Sequence, residues 1–422
     1  MHKLKIIYIS YDGMTDPLGQ SQVLPYLIGL SKFNIEIHLI SFEKKDKFDK
    51  KRLDIELLIK NKNIFWYPLK YHQKPPVLST IYDLWNLKNK AAEIISKNKI
   101  SIVHCRSYIS SLIGLSLKRK NGIPFLFDMR GFWADERIDG KIWSLSNPLF
   151  KMIYSFFKRK EKEFICESDY IVSLTDNAKN EILSWNLNCK KEINIQVIPC
   201  CADLEHFNSS KLNSKNLKEW QLNLGIEEND FVISYIGSLG TWYMMDEMMD
   251  LFKVAIEKIP NCKFLIITAD NPAIAYQAAG KLNISKKSII VTKAERNEVP
   301  YLIKLSKFSI FFIKPAYSKK ASSPTKLAEI LGMGVPVICN DRVGDVESIV
   351  EKGNVGFVLK EFNLEAYQAV LEKMMLFLIT SDPNTIANYA NAYASLEDGI
   401  SKYYHVYKSI VNTTNGDTTL LL

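Results

Sequence analysis

Long apolar runs are absent from the sequence, and none approaches the roughly 20 residues that a membrane-spanning helix needs. The first residues, Met1 to Lys5, lead directly into a short strand-like run and not into the apolar segment of a signal peptide. No internal repeat and no low-complexity tract is found in the chain. These absences predict a cytoplasmic protein without a membrane-spanning segment.

Cysteine and metal-ligand patterns are also absent. The seven cysteines show neither metal-ligand nor disulfide spacing, and the adjacent Cys200 and Cys201 cannot easily bridge to each other. Carboxylates and histidines form no convincing metal-binding cluster either. We therefore expect reduced cysteines, no bound metal and no cofactor.

The chain does contain enough apolar material for two domains. It has 422 residues, of which 47% are hydrophobic, and this length exceeds one ordinary core. Short β-branched or aromatic runs alternate with helical patterns, which predicts an α/β protein with doubly wound parallel sheets. The predicted strands are Lys5–Ser10, Glu36–Ser41, Ile102–His104, Phe125–Asp128, Tyr170–Leu174, Ile195–Pro199, Phe231–Gly237, Cys262–Ala269, Ser288–Val291, Ser309–Ile313, Pro336–Cys339 and Gly356–Leu359.

The domain boundaries are predicted from composition. Residues 208–226 are rich in Asn, Ser and Lys and form the best linker between a first domain at 1–207 and a second at 227–390. A helical pattern occupies 391–412, and the tail at 413–422 is expected to fray.

The most informative segment, residues 322–338, predicts a loop, a helix and a strand. Ser322, Ser323 and Thr325 are residues that cap helices, and Pro324 suits a first helical turn. The helix is expected to end at the glycines that precede the strand.

Lys326 lies in the first turn of this helix, and Glu329 follows on the same face. Free N–H groups at a helix start, together with a lysine, favour an anion, above all a phosphate, and a nearby carboxylate suits sugar hydroxyls. The pattern therefore indicates a bound nucleotide or nucleotide sugar. A capped surface helix with an ion pair between Lys326 and Glu329 explains the spacing equally well.

Six segments together carry a family resemblance: Ile7–Gln20, Asp128–Arg137, Ser168–Thr175, Val197–Phe207, Ile233–Gly240 and Ser322–Ile338. Their order resembles that of the family 4 retaining glycosyltransferases, in a bacterial polysaccharide branch, over almost the whole chain. The resemblance implies the GT-B fold, in which two Rossmann-like domains face a cleft and a C-terminal helix crosses back to the first domain.

The resemblance also implies how the second domain binds its donor, a UDP- or GDP-sugar that is a substrate and not a cofactor. Lys326 and the helix start should hold the diphosphate, and Glu329 should bind the ribose hydroxyls. Gly237 should let the backbone approach the phosphates. The other residues implied to bind the donor are Ser238, Lys293, Ala294, Ser322, Ser323, Pro324 and Thr325.

The first domain should bind the acceptor. Asp128 and Arg130 join Lys326 and Glu329 as catalytic candidates, since they could orient the acceptor or bind phosphate. They could instead form a structural pair in a tight turn. His104 is expected to be structural. The remaining candidates are Gly19 and Gln20 in a phosphate or acceptor loop, and Arg106, Trp133, Glu136 and Arg137 at the acceptor, where Trp133 could also simply pack.

Three departures from the family pattern stand out. Ala321 replaces the first of two glutamates, the turn at Ser238–Tyr243 carries no basic residue, and Asp128 stands where many members have a histidine. The residues that could supply the missing positive charge are Arg296, Lys314 and Lys319.

The positive charge is concentrated in the first half of the chain. Residues 1–207 contain 32 Lys and Arg against 23 Asp and Glu, which leaves 23 of each sign in the remainder. A basic acceptor domain suits the anionic inner face of a membrane and a lipid-linked acceptor. A solvated lysine-rich surface is the plainer alternative, and no basic and aromatic module indicates nucleic acid.

The expected activity is therefore sugar transfer from a nucleotide sugar to a glycan or lipid-linked acceptor in bacterial cell-surface polysaccharide synthesis. A GT-B nucleotide-sugar epimerase and a non-catalytic pseudo-glycosyltransferase remain open as alternatives. The sequence leaves undecided the base and sugar of the donor, and the acceptor.

Overall fold

The computed structural model describes residues 3–415, which fold into two compact units. Unit 1 consists of the chain up to Cys200 together with the chain from Leu396 onward, and unit 2 consists of Cys201–Ser395. These boundaries fall near the domain ends predicted at 207 and 390. The part of the predicted tail at 416–422 lies outside the described residues.

Unit 1 is built on a seven-stranded parallel sheet in the order β3-β2-β1-β4-β5-β6-β7, and its topological switch point lies between β1 and β4. Its strands are β1 (Leu4–Ser10), β2 (Ile35–Glu43), β3 (Ile64–Lys70), β4 (Ile102–Arg106), β5 (Phe125–Asp128), β6 (Tyr170–Ser173) and β7 (Ile195–Val197). Its helices before Cys200 are α1 (Pro17–Gln22), α2 (Leu24–Ser31), α3 (Lys45–Ile59), α4 (Leu78–Lys97), α5 (Ser107–Asn121), α6 (Trp133–Asp139), α7 (Pro148–Glu167) and α8 (Asp176–Ser184).

Unit 2 repeats this architecture with a six-stranded parallel sheet in the order β10-β9-β8-β11-β12-β13, so that its switch point lies between β8 and β11. Its strands are β8 (Phe231–Ile236), β9 (Cys262–Ile267), β10 (Ile289–Thr292), β11 (Phe308–Phe311), β12 (Val337–Asn340) and β13 (Gly356–Leu359). Its α-helices are α9 (Ser214–Asn223), α10 (Met245–Lys258), α11 (Ala273–Lys281), α12 (Val299–Lys304), α13 (Thr325–Gly332), α14 (Val346–Gly353), α15 (Leu364–Thr380) and α16 (Pro383–Ala394), and its 3₁₀ turns are Ser209–Lys211, Lys286–Ser288 and Tyr317–Ala321.

Several strands are buried along their whole length, as is typical of parallel sheets covered by helices. Every residue of β2, β4 and β5 is buried in unit 1, and β11 and β12 are buried in the same way in unit 2. This burial explains the almost continuous β-branched and aromatic runs in the sequence. It also places the polar residues that follow each strand at the carboxyl edge of the sheet.

The last helix, α17 (Leu396–Asn415), returns to unit 1 and packs on α2. The absence of a side chain at Gly29 makes room for Ile400, which a Cβ there would approach to 2.1 Å. Aromatic pairs extend this contact, since Phe33 stacks on Tyr404 at 4.5 Å between ring centroids. The chain therefore leaves unit 1 once and comes back to complete it.

Two features of the fold differ from the sequence predictions. Strand β3 was not predicted because it contains Pro68, which cannot donate to a ladder; the structure tolerates it because β3 is the edge strand. The predicted linker at 208–226 contains the helix α9 and belongs to unit 2.

The expectation that no cysteines pair is wrong for Cys166 and Cys189. These two residues form a disulfide, with 4.9 Å between their Cα atoms. The spacing gave no signal because the bond joins the last turn of α7 to the loop after α8, which only the fold brings together. Within residues 3–415, no helix is long and apolar enough to cross a membrane.

Candidate functional site

The helix that the sequence predicts to bind a phosphate at its start is α13. Its backbone becomes helical at Thr325, and Pro324 occupies the N-cap position with extended dihedral angles. Pro324 was expected inside the first helical turn but lies one position earlier, and the helix has no side-chain cap at its N-cap residue. The N–H groups of the first turn are therefore not occupied by an N-cap side chain, as an anion site at a helix start requires.

Lys326, in the first turn of α13, is 9% exposed and is surrounded by aromatic rings. Its ammonium lies 3.8 Å from the centroid of the Tyr243 ring and 4.6 Å from that of Tyr235. Within the described chain, no carboxylate lies within ion-pair distance of this ammonium. Burial lowers the pKa of Lys326 to about 7, and Glu329 opposes the shift only in part.

Gly237 follows β8 and faces this lysine. Its φ of 136° lies in the region that favours glycine, and a Cβ at this position would come within 2.4 Å of the Lys326 Nζ. The turn that follows is held by Asp270, whose carboxylate accepts a hydrogen bond of 2.6 Å from the Leu239 N–H. The Tyr235 hydroxyl donates to the carbonyl of Ser238. The lack of a side chain at Gly237 therefore makes room for the Lys326 ammonium.

Glu329 lies one turn further along α13. Its carboxylate is 3.9 Å from the guanidinium of Arg296, and burial raises its pKa against the attraction of that arginine. Arg296 in turn stacks over the ring of Phe207 at 5.6 Å. Phe207 and the segment before it pack on Gly332 at the end of α13. This contact explains why the Val197–Phe207 motif accompanies the helix in the sequence.

The other predicted donor residues lie at the carboxyl edge of the same sheet. Lys293 and Ala294 directly follow β10, Ser238 follows Gly237 after β8, and Ser322, Ser323, Pro324 and Thr325 form the approach to α13. Of these, Lys293 and Ser238 are exposed, whereas Ala294 is partly buried against the core.

The structure also locates the departures from the family pattern. Ala321 is buried with 2% exposure in a 3₁₀ turn, so this position presents no carboxylate. Three residues could replace the basic residue that the turn lacks. Among them, Lys319 is buried, and its ammonium lies 3.6 Å from the ring centroid of Trp242, a residue of the turn after β8. Arg296 is engaged with Glu329, and Lys314 is exposed.

The prediction that Gly19 and Gln20 lie in a loop is wrong, since both belong to helix α1 and contact the loop that precedes it. A Cβ on Gly19 would meet the carbonyl oxygen of Gly13 at 2.2 Å, and the Gln20 amide donates to the Thr15 carbonyl at 3.1 Å. The loop is anchored by Glu43, which accepts hydrogen bonds from the N–H groups of Met14 and Thr15 and from two hydroxyls. The sequence did not indicate Glu43, because the two N–H groups that it binds lie 29 and 28 residues away.

Asp128, at the end of β5, is 1% exposed. Its Oδ2 accepts a hydrogen bond from the Tyr403 hydroxyl at 3.0 Å and lies 3.4 Å from the Nε2 of His104. Burial works against its ionisation, but Arg130 and His104 outweigh burial and keep the pKa of Asp128 below its usual value. His104, whose Nδ1 lies 2.7 Å from the Tyr407 hydroxyl, is 1% exposed and so is inaccessible to a substrate.

The acceptor candidates of α6 are mostly engaged in packing. Trp133 contacts Trp143 and Phe157 at centroid distances of 5.3 and 4.8 Å, and the Arg137 guanidinium lies over its ring at 5.0 Å. Glu136 is partly buried on the same helix. Packing is therefore the observed role of Trp133.

Sequence reasoning missed a buried polar network beneath α6. Asp135 accepts hydrogen bonds of 2.8 Å from the Tyr154 hydroxyl and from the Lys158 ammonium, and Lys158 also bonds to Glu161. Glu161, fully buried, accepts from Tyr108. The spacing of Lys158 and Glu161 on α7 was the available signal, but it is common on exposed helices.

The predicted site residues thus form two groups, one in each unit. Unit 2 brings together Gly237, Lys326 and Glu329, and unit 1 brings together Asp128, Arg130 and Arg106 at the ends of β4 and β5. Across residues 3–415, no group of three or more His, Cys, Asp or Glu is arranged to hold a metal ion.

Comparisons with known proteins agree with this geometry. The model of Glycosyltransferase Family 4 matches residues 23–206, and the model of Glycosyl transferases group 1 matches residues 217–390. An Escherichia coli protein, UDP-Gal:alpha-D-GlcNAc-diphosphoundecaprenol alpha-1,3-galactosyltransferase, is 23% identical over 89% of this chain and 93% of its own length.

A second relative is the capsular polysaccharide biosynthesis glycosyltransferase CapM of Staphylococcus aureus, which is 21% identical over 89% of this chain and 88% of its own. Among solved structures, Anabaena HepE in complex with UDP and glucose superposes with a TM-score of 0.67 at 10% identity, over 96% of this chain and all of that chain. The two matched domains and the shared fold lead to one conclusion: this chain belongs to glycosyltransferase family 4 and has the GT-B fold.

Proposed function

We propose that the protein is a retaining glycosyltransferase that moves a sugar from a UDP- or GDP-sugar to a glycan or lipid-linked acceptor in bacterial cell-surface polysaccharide synthesis. The observation that carries the proposal is the buried ammonium of Lys326, which lies against Gly237 and has no carboxylate of residues 3–415 within ion-pair distance. A buried cation without a counter-ion is costly unless a ligand supplies the negative charge.

The chemistry of sugar transfer matches this arrangement. When the bond from the anomeric carbon to the leaving phosphate breaks, negative charge develops on the diphosphate, and pre-oriented donors stabilise it. Lys326 and the first N–H groups of α13 are such donors, and Glu329 is placed to accept hydrogen bonds from ribose hydroxyls. These groups require no metal, so the proposed reaction is metal-independent.

The proposed acceptor is supported by the relatives. The galactosyltransferase from Escherichia coli acts, by its name, on a sugar linked through a diphosphate to a lipid, and CapM acts in capsular polysaccharide biosynthesis. An acceptor of this type lies at a membrane, and the proposed location of the protein is the cytoplasmic face of that membrane.

Two helices of unit 1 support contact with an anionic bilayer. On α4, the side chains of Leu78, Ile81, Tyr82 and Trp85 are between 50% and 64% exposed at helical spacing, and on α7 Met152 is 63% exposed. Aromatic and aliphatic side chains of this kind, flanked by lysines, are typical of helices that lie in a membrane interface. The exposed basic residues nearby are Lys74, Lys88, Lys141, Lys151 and Arg159.

The exposed apolar side chains of both helices lie toward the carboxyl edge of the unit 1 sheet. α4 and α7 each end a few residues before a strand begins, so their first turns lie at the opposite, carboxyl edge. α5 lies between them, since it packs against both. The proposed bilayer contact is therefore one face of unit 1, at the edge where a parallel sheet binds its ligands.

The test begins with the donor. A thermal-shift screen against UDP, GDP, ADP and CMP should identify one nucleotide that raises the Tm, because only bound ligand stabilises the fold by mass action. The matching nucleotide sugars are then assayed with lipid-diphosphate acceptors, and the anomeric configuration of the product is read by NMR.

Each outcome discriminates among the candidate functions. Transfer with retained configuration supports the proposal, and an inverted product contradicts the retaining mechanism. Interconversion of the free nucleotide sugar without acceptor would identify an epimerase. Nucleotide binding without turnover on any acceptor would favour a pseudo-glycosyltransferase.

A further inference from the structure

Unit 1 contains two arginines whose side chains are at most 9% exposed and whose hydrogen-bond donors are partly unused. Arg106, the last residue of β4, is 4% exposed, and within the described chain its Nε and Nη1 have no hydrogen-bond partner. The Nε of Arg130 is also buried without a partner, although its Nη2 donates to the Cys200 sulfur at 3.2 Å. Buried donors without partners are rare in folded proteins, and an ion or ligand is one of the standard reasons for them.

The charges around these arginines do not balance. Asp128 is the buried carboxylate of the group, and its Oδ1 lies 3.9 Å from the Nη1 of Arg130. Asp12 lies 3.5 Å from the Nε of Arg106, but its side chain is 46% exposed. Burial keeps the neighbouring His104 from gaining a proton by lowering its pKa. Two buried guanidinium groups therefore face one buried carboxylate, which leaves one positive charge without a buried counter-ion.

The arginines also lie where the fold can bind an anion. Arg106 is the N-cap of α5, a helix of 15 residues, and its side chain makes no capping bond. The end of β4 is one side of the switch point between β1 and β4. Ser107 and Arg130 both have left-handed backbone angles, with φ of 67° and 56°, which is costly for residues with side chains. Such angles persist only where the surrounding structure imposes them. Both residues lie at the carboxyl edge of the sheet.

We propose that Arg106, Arg130 and the amino end of α5 form a binding site for the phosphate or diphosphate group of the acceptor. Guanidinium groups match phosphate oxygens with paired hydrogen bonds, and the helix start adds backbone N–H groups. The inference rests on the proposed function, because it assumes an acceptor that carries phosphate. The donor diphosphate is the other source of the same chemistry, and Lys326 in unit 2 is its proposed partner.

The first experiment needs no variant and no turnover. Inorganic pyrophosphate is titrated calorimetrically into the wild-type protein that has been saturated with the nucleotide found in the thermal-shift screen. Because the nucleotide fills the Lys326 site, the proposal expects that pyrophosphate still binds. Loss of pyrophosphate binding on saturation would overturn the proposal, since a single diphosphate site would then explain all binding.

Variants then locate the second site. Arg106→Met and Arg130→Met should each weaken pyrophosphate binding to the saturated protein at least tenfold and leave nucleotide affinity unchanged. Lys326→Ala is the matched control, with the opposite pattern: weak nucleotide binding and unchanged binding of pyrophosphate at the arginine site. Equal pyrophosphate affinity in Arg106→Met and the wild type would contradict the assignment. Arg106→Lys, which keeps the charge, covers the case in which the Met variant does not fold.

A transfer assay separates the acceptor from the donor as the source of the phosphate. Arg106→Lys should raise the KM for a lipid-diphosphate acceptor at least tenfold and leave the KM for the donor unchanged. An increase confined to the donor KM would assign the arginines to the donor and overturn the proposal. If the protein binds pyrophosphate at the arginines but transfers no sugar, the anion site stands and the proposed transferase function fails.

Discussion

The ammonium of Lys326 lies 3.8 Å from the centroid of the Tyr243 ring, in a position where a carboxylate would be the ordinary partner of a buried lysine. The ring attracts the cation through its electron-rich face but does not neutralise it. The positive charge is therefore held in place and remains available to a ligand. This relationship makes Lys326 the residue on which the donor site can be tested most directly.

Replacing Lys326 with alanine should greatly reduce turnover and leave the fold intact. The expected loss of transition-state stabilisation is about 2–4 kcal/mol, by analogy with loss of one anion-stabilising donor. The measurement is kcat, with Tm as the test of folding. Lys352→Ala, at an exposed lysine of α14, is the matched control. An unchanged kcat in Lys326→Ala would refute the role of this lysine.

Lys326 should also make stability depend on pH. In the unfolded chain a lysine keeps its proton up to about pH 10.4, whereas burial lowers the pKa of folded Lys326 to about 7. Between these values the unfolded state binds more protons, so stability rises with pH across this interval. Removal of the buried charge should therefore stabilise the protein most at low pH.

The variant for this test is Lys326→Met, which keeps the length of the side chain. Its Tm should exceed that of the wild type by at least about 3 °C at pH 6, and this advantage should shrink toward pH 10. Calorimetry of both proteins at the two pH values provides the measurement. A Tm difference that is the same at pH 6 and pH 10 would show that Lys326 does not titrate as described.

Activity should survive treatment with EDTA. The charge on the leaving diphosphate is assigned to Lys326 and to the start of α13, and neither depends on a divalent cation. The initial rate is measured before and after chelation. Loss of activity that Mg²⁺ or Mn²⁺ restores would show that the diphosphate is bound through a metal.

The protein should bind anionic vesicles more tightly than neutral ones, and salt should weaken the binding. Each Lys or Arg near an anionic surface contributes about 1 kcal/mol, and the attraction should fade toward 1 M salt, where the Debye length is about 3 Å. Co-sedimentation with vesicles of both types is the measurement. Equal binding to neutral and anionic vesicles at low salt would contradict the membrane proposal but not the transferase proposal.

Two sets of variants locate the bilayer contact. Trp85→Ala with Met152→Ser, on the apolar stripes of α4 and α7, should weaken vesicle binding at least tenfold. Charge reversal at Lys44, Lys45, Lys50 and Lys51 should weaken it less, since Lys44 already pairs with Asp16 at 3.1 Å. A larger effect of the charge-reversal set would instead assign the bilayer contact to α3.

Glu43→Gln should destabilise unit 1. The carboxylate of Glu43 accepts bonds of 2.7 and 3.1 Å from the N–H groups of Met14 and Thr15, and an amide nitrogen in its place cannot accept. The expected cost is about 1–3 kcal/mol, the range for leaving a buried donor unpaired. Denaturant unfolding measures the change, with Glu228→Gln at an exposed position as the control. Equal stability of both variants would show that the loop does not depend on Glu43.

Much of the fold was predictable because parallel strands are continuously apolar and local in sequence. The segment at Phe125–Asp128 coincides with β5, and the predicted helix start lies within one residue of α13. Strand β3 escaped prediction because Pro68 normally argues against a strand, and only its place at the sheet edge makes it acceptable.

The sequence could predict which residues form the site, but not which distant side chains surround them. Lys326 and Glu329 are neighbours on one helix, so their spacing was visible. The rings of Tyr235 and Tyr243, which surround the Lys326 ammonium, come from a distant strand and turn. The partner of Asp128 is Tyr403, 275 residues further along the chain, and no local pattern indicates such a pair.

The return of α17 to unit 1 has a consequence for the order in which the protein matures during synthesis. Unit 2 is one uninterrupted segment, so all of its residues are translated before the last helix is begun. Unit 1 is begun first but finished last, because Tyr403 and Tyr407 must arrive before Asp128 and His104 have their hydrogen-bond partners. A chain truncated before α17 would therefore carry a complete unit 2 and an unfinished unit 1.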